Sequence, residues 1–261
     1  MGSEGRSIAR KPRFLCLHGF RTSGEIMKIQ LHKWPKSVID RLDLVFLDAP
    51  FPCQGKSDVE GIFDPPYYEW FQFNKEFTEY TNFEKCLEYL EDRMIKLGPF
   101  DGLIGFSQVS YLHLKLHQQS LICVLSLKTL NLILQGAILS GGLPGLQAKG
   151  IAFQKVPKIK FVIIIGGAKL KSAKLAENAY SSSLETLSLH FLGETDFLKP
   201  YGTQLIESYK NPVVVHHPKG HTVPRLDEKS LEKVTAFIDT LEHLVMEEDK
   251  NGEENTSKPT K

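Results

Sequence analysis

Short apolar runs alternate along the chain with stretches whose apolar residues fall three and four apart. Residues 13–17 form the first run and predict a buried strand. Met27, Leu31, Trp34 and Val38 then mark a helix over 23–39, bent or interrupted at Pro35. Residues 42–47 predict a second strand, closing at Asp48-Ala49-Pro50. Phe83, Cys86, Leu87, Leu90, Met94 and Leu97 share one face of a helix over 82–97, which Gly98-Pro99 stops. Further strands are expected over 102–106, 160–165, 187–192 and 212–215. Residues 160–165 are the most apolar of these and read as a central parallel strand buried on both faces. Helices follow over 200–209 and 227–245, the last with Leu231, Val234, Ile238, Leu241 and Val245 along its apolar side. This alternation predicts one α/β domain over 13–246, with a mostly parallel central sheet and helices on both faces. Residues 1–12 are polar and basic and are expected to form a flexible N-terminus. Residues 247–261 are charged and lack apolar side chains, which predicts a disordered tail.

The pattern breaks over 51–77. Pro52, Pro65 and Pro66 interrupt regular structure, while Phe63, Tyr67, Tyr68, Trp70, Phe71, Phe73 and Phe77 crowd together. Such a segment either covers a site and lines an apolar substrate pocket, with Tyr68, Trp70 and Phe71 as candidates, or packs its rings onto the core.

Composition narrows the function classes. With 261 residues, 41% hydrophobic, 24% charged and a net charge of +1, the chain reads as an ordinary globular protein. It carries no electrostatic footprint for nucleic acid or an acidic membrane. No segment is long and apolar enough to span a bilayer. Cys16, Cys53, Cys86 and Cys123 are widely spaced, which argues against a zinc site and a secreted disulfide scaffold. The expected setting is a reducing compartment, the cytoplasm and also the nucleus. Met1-Gly2 lacks the Ser or Thr that a myristoylation motif needs, because Arg6 stands there.

The candidate chemistry lies at strand ends. Gly105-Phe106-Ser107-Gln108 follows an apolar run and reads as the front half of a nucleophile elbow, whose usual form is G-x-S-x-G. The plain alternative is a serine in a β-turn. Leu17-His18-Gly19-Phe20 reads as the start of an oxyanion loop, or otherwise as a simple βα turn. Ser107, Asp196 and His221 fall in the serine, acid, histidine order of an α/β-hydrolase. His221 would take the Ser107 proton, Asp196 would orient the imidazole, and the N–H groups of Phe20 and Gln108 would hold the oxyanion. Asp48 and Glu194 are rival acids, and His216 and His217 are rival bases that stand close to the sheet.

Leu17-His18-Gly19-Phe20, Gly105-Phe106-Ser107-Gln108 with Gly136-Ala137, Gly193-Glu194-Thr195-Asp196 and Gly220-His221-Thr222-Val223-Pro224 together resemble the FSH family of eukaryotic serine hydrolases. This group includes the ovarian-cancer-associated esterase and its fungal and plant relatives. The resemblance, closest to a plant-type member, runs from about residue 11 to 241. It implies an α/β-hydrolase acting on carboxylic esters, apolar acyl esters in particular, with Ser107, Asp196 and His221 as the triad. It implies no metal and no cofactor, and a small-molecule ester as the partner. Thioesterase or depalmitoylase activity on the same triad is the neighbouring specificity. Oligomeric state stays open.

The family pattern Gly-Phe-Ser-Gln-Gly-Ala is interrupted here by residues 109–135, an atypical insertion. That stretch contains no Gly, Ala, Pro, Asp, Glu, Arg or Trp, and removing it restores the pattern. The expectation is an in-frame retained intron, and the alternative is a genuine inserted loop or helix. Sequencing the gene and its transcripts decides between them. Val109 stands where the second elbow glycine belongs, which predicts a catalytically impaired isoform as the rival to an active esterase.

Overall fold

A computed structural model of the protein describes residues 10–74, 78–107 and 135–256. From the first strand, β1 (Arg13–Leu17), the chain passes through α1 (Gly24–Leu31) and a single turn, α2 (Lys36–Ile39), to β2 (Asp43–Leu47). Two small antiparallel ribbons follow, β3 (Phe51–Pro52) with β4 (Tyr68–Glu69) and β5 (Gln72–Phe73) with β6 (Tyr80–Thr81). The order then runs α3 (Phe83–Leu97), β7 (Gly102–Phe106), α4 (Gln135–Ala148), β8 (Phe161–Ile165), α5 (Ala173–Tyr180), β9 (Leu187–Gly193), α6 (Lys199–Ile206), β10 (Val213–His217) and α7 (Glu228–Thr256). Six strands form one sheet in the order β10-β9-β8-β7-β1-β2, and every neighbouring pair is parallel.

Strand geometry sends alternate side chains to opposite faces, and the two cores follow that rule. Leu15, Leu17, Leu103, Val162 and Ile164 pack under α3 and α4. Phe14, Cys16, Ile104, Phe106, Ile163 and Ile165 pack with Met27 and Leu31 of α1 and Val234, Ile238 and Leu241 of α7. The central strands β7 and β8 are buried at all five positions, as two-sided covering requires.

Local signals explain the helix ends. The Ser23 hydroxyl accepts from the Ile26 N–H and starts α1, and Pro35 caps α2, so the stretch 23–39 is two helices with a break between them. Twelve consecutive residues of α4, Gln135 to Leu146, are buried. A helix apolar all round belongs inside a protein, and its glycines permit that depth. A side chain at Gly145 would collide with the Ala179 carbonyl of α5.

Three expectations change. Helix α5 has no counterpart in the apolar pattern, because only Ala179 of its eight residues is buried. The tail expected from 247 is helical as far as Thr256. Ion pairs extend it where apolar contacts stop: Glu248 reaches Lys160, and Asp249 reaches Arg10. Arg10, at the end of the stretch expected to be flexible, also grips buried Asp101 with two hydrogen bonds of 2.6 and 2.9 Å. The insertion expected over 109–135 lies outside the described residues except for Gln135.

Candidate active site

The first groups to meet are at the C-terminal ends of β7 and β9. Ser107 follows β7 directly, and its backbone N–H donates to the Ile165 carbonyl of β8 at 3.2 Å. Asp196 lies three residues beyond β9, and His221 follows β10 in a loop. The His221 Nε2 stands 2.8 Å from Ser107 Oγ, and its Nδ1 stands 2.8 Å from Asp196 Oδ2. The other Asp196 oxygen accepts from the Leu198 N–H at 2.8 Å. All three side chains are buried. Phe106 stacks near the His221 ring, with centroids 6.3 Å apart, and Phe197 flanks it at 5.5 Å. Gly166, at φ +65, passes so close that any side chain there would strike the imidazole.

The rival residues are engaged elsewhere. Asp48 accepts from the Gly24 N–H at 2.8 Å. Glu194 binds Lys199 and His216, which hold its carboxyl below the ordinary range. His217 is the last residue of β10 and buried, and desolvation lowers its pKa.

The loop after β1 is fixed by its own histidine. The Nδ1–H of His18 donates to the Gly19 carbonyl at 2.7 Å, and Nε2 accepts from the Ala49 N–H at 3.0 Å. This assigns the neutral tautomer, and burial pushes the His18 pKa down to about 4. Thr22 Oγ1 also donates to the Gly19 carbonyl, at 2.9 Å. Phe20 is buried beside Phe73, with ring centroids 5.7 Å apart. The Arg21 guanidinium lies 4.6 Å over the Phe20 ring and bonds Glu69 at 2.7 Å.

The aromatic segment braces this loop. The Tyr68 N–H donates to the Thr22 carbonyl at 2.8 Å, and the Trp70 indole N–H donates to the His18 carbonyl at 2.8 Å. Trp70 and Phe71 are 0% and 1% exposed. Both rings pack into the core, the second of the two roles that the sequence left open for this segment. Tyr68 and Phe73 are half-buried and pack against the same core.

Sequence reasoning missed one residue here. The carboxamide of Gln135 accepts from the Trp70 backbone N–H at 2.7 Å and donates to the Phe71 carbonyl. Its signal was the Gln-Gly-Ala at 135–137, which supplies after the interruption the continuation that Gly-Phe-Ser-Gln at 105–108 lacks. Gln108, expected as an oxyanion donor, lies outside the described residues. Among the described residues, no group of three or more His, Cys, Asp or Glu is placed to hold a metal, and no helix is long and apolar enough to cross a membrane.

The esterase AGAP003155 of Anopheles gambiae is 29% identical over 260 residues, which cover 95% of this chain and 85% of that one. The esterase OVCA2 of Bos taurus is 28% identical over 231 residues, covering 81% and 89%. The solved structure of Arabidopsis thaliana SOBER1 covers 88% of this chain and 99% of its own at 15% identity, with a TM-score of 0.46. A family model described as serine hydrolase (FSH1) matches residues 7–120 and 134–232. The chain belongs to this family of serine hydrolases.

Proposed function

We propose that the protein hydrolyses carboxylic esters through an acyl-enzyme on Ser107. The observation that carries this reading is the hydrogen-bonded series Ser107–His221–Asp196, 2.8 Å at each link. His221 Nε2 accepts the Ser107 proton as Oγ attacks the ester carbonyl. The same nitrogen then protonates the departing alkoxide. Asp196 keeps the Nδ1–H directed toward itself and stabilises the imidazolium. Water enters for the second half-reaction, with His221 as its base, and releases the acid. The tetrahedral oxygen is held by backbone N–H groups, one from Phe20 and one from the residue that the family pattern sets after the nucleophile. The chain offers that glutamine twice, as Gln108 before the interruption and as Gln135, directly ahead of Gly136, after it.

The acyl group is apolar in this reading. Phe73, Tyr68 and Phe197 are half-buried rings around the triad and the loop after β1, and they suit a hydrocarbon chain. Labelling with a fluorophosphonate and hydrolysis of a series of p-nitrophenyl esters test the proposal. Ser107→Ala is expected to abolish both, and Asp196→Asn to lower kcat about 10⁴-fold by freeing the wrong tautomer. Retention of turnover in Ser107→Ala overturns it. Thioesters in the same series separate the neighbouring specificity.

One observation favours a second reading, an impaired isoform: the residues of the elbow are separated in sequence by 109–135. Labelling of a shortened chain but not of the full one would decide for it.

A further inference from the structure

Helix α4 reaches the site from the far side of the interruption. Its first residue, Gln135, is fully buried and clamps Trp70 and Phe71 through both ends of its carboxamide. Trp70 in turn bonds the His18 carbonyl. Gly136 lies so close to the ends of β1 that a side chain there would collide with the Leu17 and His18 carbonyls. Gly105 on β7 likewise has no room for a side chain, because the Gly136 carbonyl and Ser140 occupy the space. The start of α4 is therefore wedged between the strand that carries Ser107 and the loop that carries Phe20. In a nucleophile elbow the oxyanion donors come from those two elements, the residue after the serine and the loop after an early strand. Cutting out 108–134 and cutting out 109–135 leave the same sequence, since a glutamine stands at both ends. The family match runs through Gln108 as far as 120 and resumes at 134, just ahead of Gln135.

We propose that Gln135 completes the catalytic site across the interruption. Its side chain is the positioning element that docks α4, and its backbone N–H, with that of Phe20, binds the oxyanion. The inference rests on the reading of Ser107 as the nucleophile. An insertion between Ser107 and Gln135 preserves the donor because the donor travels with the helix, and the clamp to Trp70 and Phe71 holds the helix in place.

The test uses the full chain with four variants: Gln135→Pro, Gln135→Ala, Gln108→Pro and Ser107→Ala. Proline removes the N–H and is tolerated in a first helical turn. Gln135→Pro is expected to lower kcat by about 10²-fold, as loss of one oxyanion donor does. Gln135→Ala keeps the donor and loses the clamp; its kcat should fall by about 10-fold with KM nearly unchanged, because the loss falls on the transition state. The loss from Gln108→Pro should be at least ten-fold smaller than that from Gln135→Pro. Thermal melts establish that each variant is folded, and Gln135→Ala carries the test if the proline variant is not. The inference is overturned if Gln108→Pro produces the larger loss, or if Gln135→Ala leaves kcat unchanged. It is also overturned if the full chain fails to react with fluorophosphonate while a chain lacking 109–135 reacts. Turnover that survives Ser107→Ala strikes the underlying reading instead, so the two failures are distinct.

Discussion

A missing methyl group decides how closely α4 approaches the sheet. Gly136 faces the Leu17 and His18 carbonyls, and Gly105 faces the Gly136 carbonyl and Ser140. Backbone oxygens cannot rotate away as a side chain can, so Gly136→Ala has to push α4 outward. Overpacking of this kind costs about 1–3 kcal/mol, and here it also moves the N-terminus of the helix away from Ser107. Gly136→Ala should lower the urea midpoint and slow fluorophosphonate labelling together. Gly150→Ala is the control: it sits at φ +69 with only Gln154 nearby, so it should cost stability and leave the labelling rate alone. A Gly136→Ala variant that labels at the parent rate would refute the wedge. The residues brought together at the site were legible for a simple reason. Ser107, Asp196 and His221 each follow a parallel strand at its C-terminal end, and parallel strands bring those ends to one side. The Gln135–Trp70 contact was not legible. It joins a side chain to a backbone group 65 residues away, and no periodicity encodes such a pairing.

Among the elements, α7 shows what apolar spacing reveals and what it hides. Its buried stripe of Val234, Ile238, Leu241 and Val245 was visible, and so was the helix over it. Beyond Val245 the apolar signal ends while the helix continues, because Glu248 and Asp249 pair with Lys160 and Arg10 from other parts of the fold. Charge pairs carry no period, so the sequence there resembles a solvated tail. Helix α5 escaped for a related reason: its exposed composition gives it no stripe. Lys160 and Arg10 both return to Asp101, which is 2% exposed. Burial pushes its carboxyl up, and hydrogen bonds from Arg10, the Arg13 N–H and Lys160 outweigh that and hold it below the usual range. Two predictions separate the buried centre from its surface extensions. Asp101→Ala takes a buried acceptor from the Arg13 N–H and from two part-exposed cations and should cost about 1–3 kcal/mol by denaturant titration. Asp249→Ala removes an exposed pair and should cost under about 1 kcal/mol. Equal losses from the two would mean that the network acts as one unit and that the helix extension matters as much as the buried charge.

For the molecule as a whole, the buried histidines set the response to acid. His18 and His190 are both enclosed, and desolvation lowers their pKa values from 6.5 to about 4 and about 3. A depressed histidine pKa means that the unfolded chain takes up the proton first. Stability is therefore complete above about pH 6.5 and falls as the pH drops toward the folded values. Between pH 8 and pH 5 each group should remove about 2 kcal/mol from the free energy of unfolding. The two can be told apart because only one of them is bonded. His18 holds the loop through Gly19 and Ala49, so replacing it disturbs the site as well as the titration. His190 Nε2 has no hydrogen-bond partner among the described residues, and its ring packs edge-on against Tyr209 at 4.9 Å. His190→Phe keeps a ring in that place and removes the proton. Its unfolding free energy should lose about 2 kcal/mol less than the parent's between pH 8 and pH 5, whatever its stability at pH 8, while ester turnover at pH 8 stays close to the parent's. Urea titrations at a series of pH values measure the slope directly. A His190→Phe slope equal to the parent's would show that His190 does not titrate in the unfolding equilibrium, and the acid response would then have to come from His18, His217 and the carboxylates.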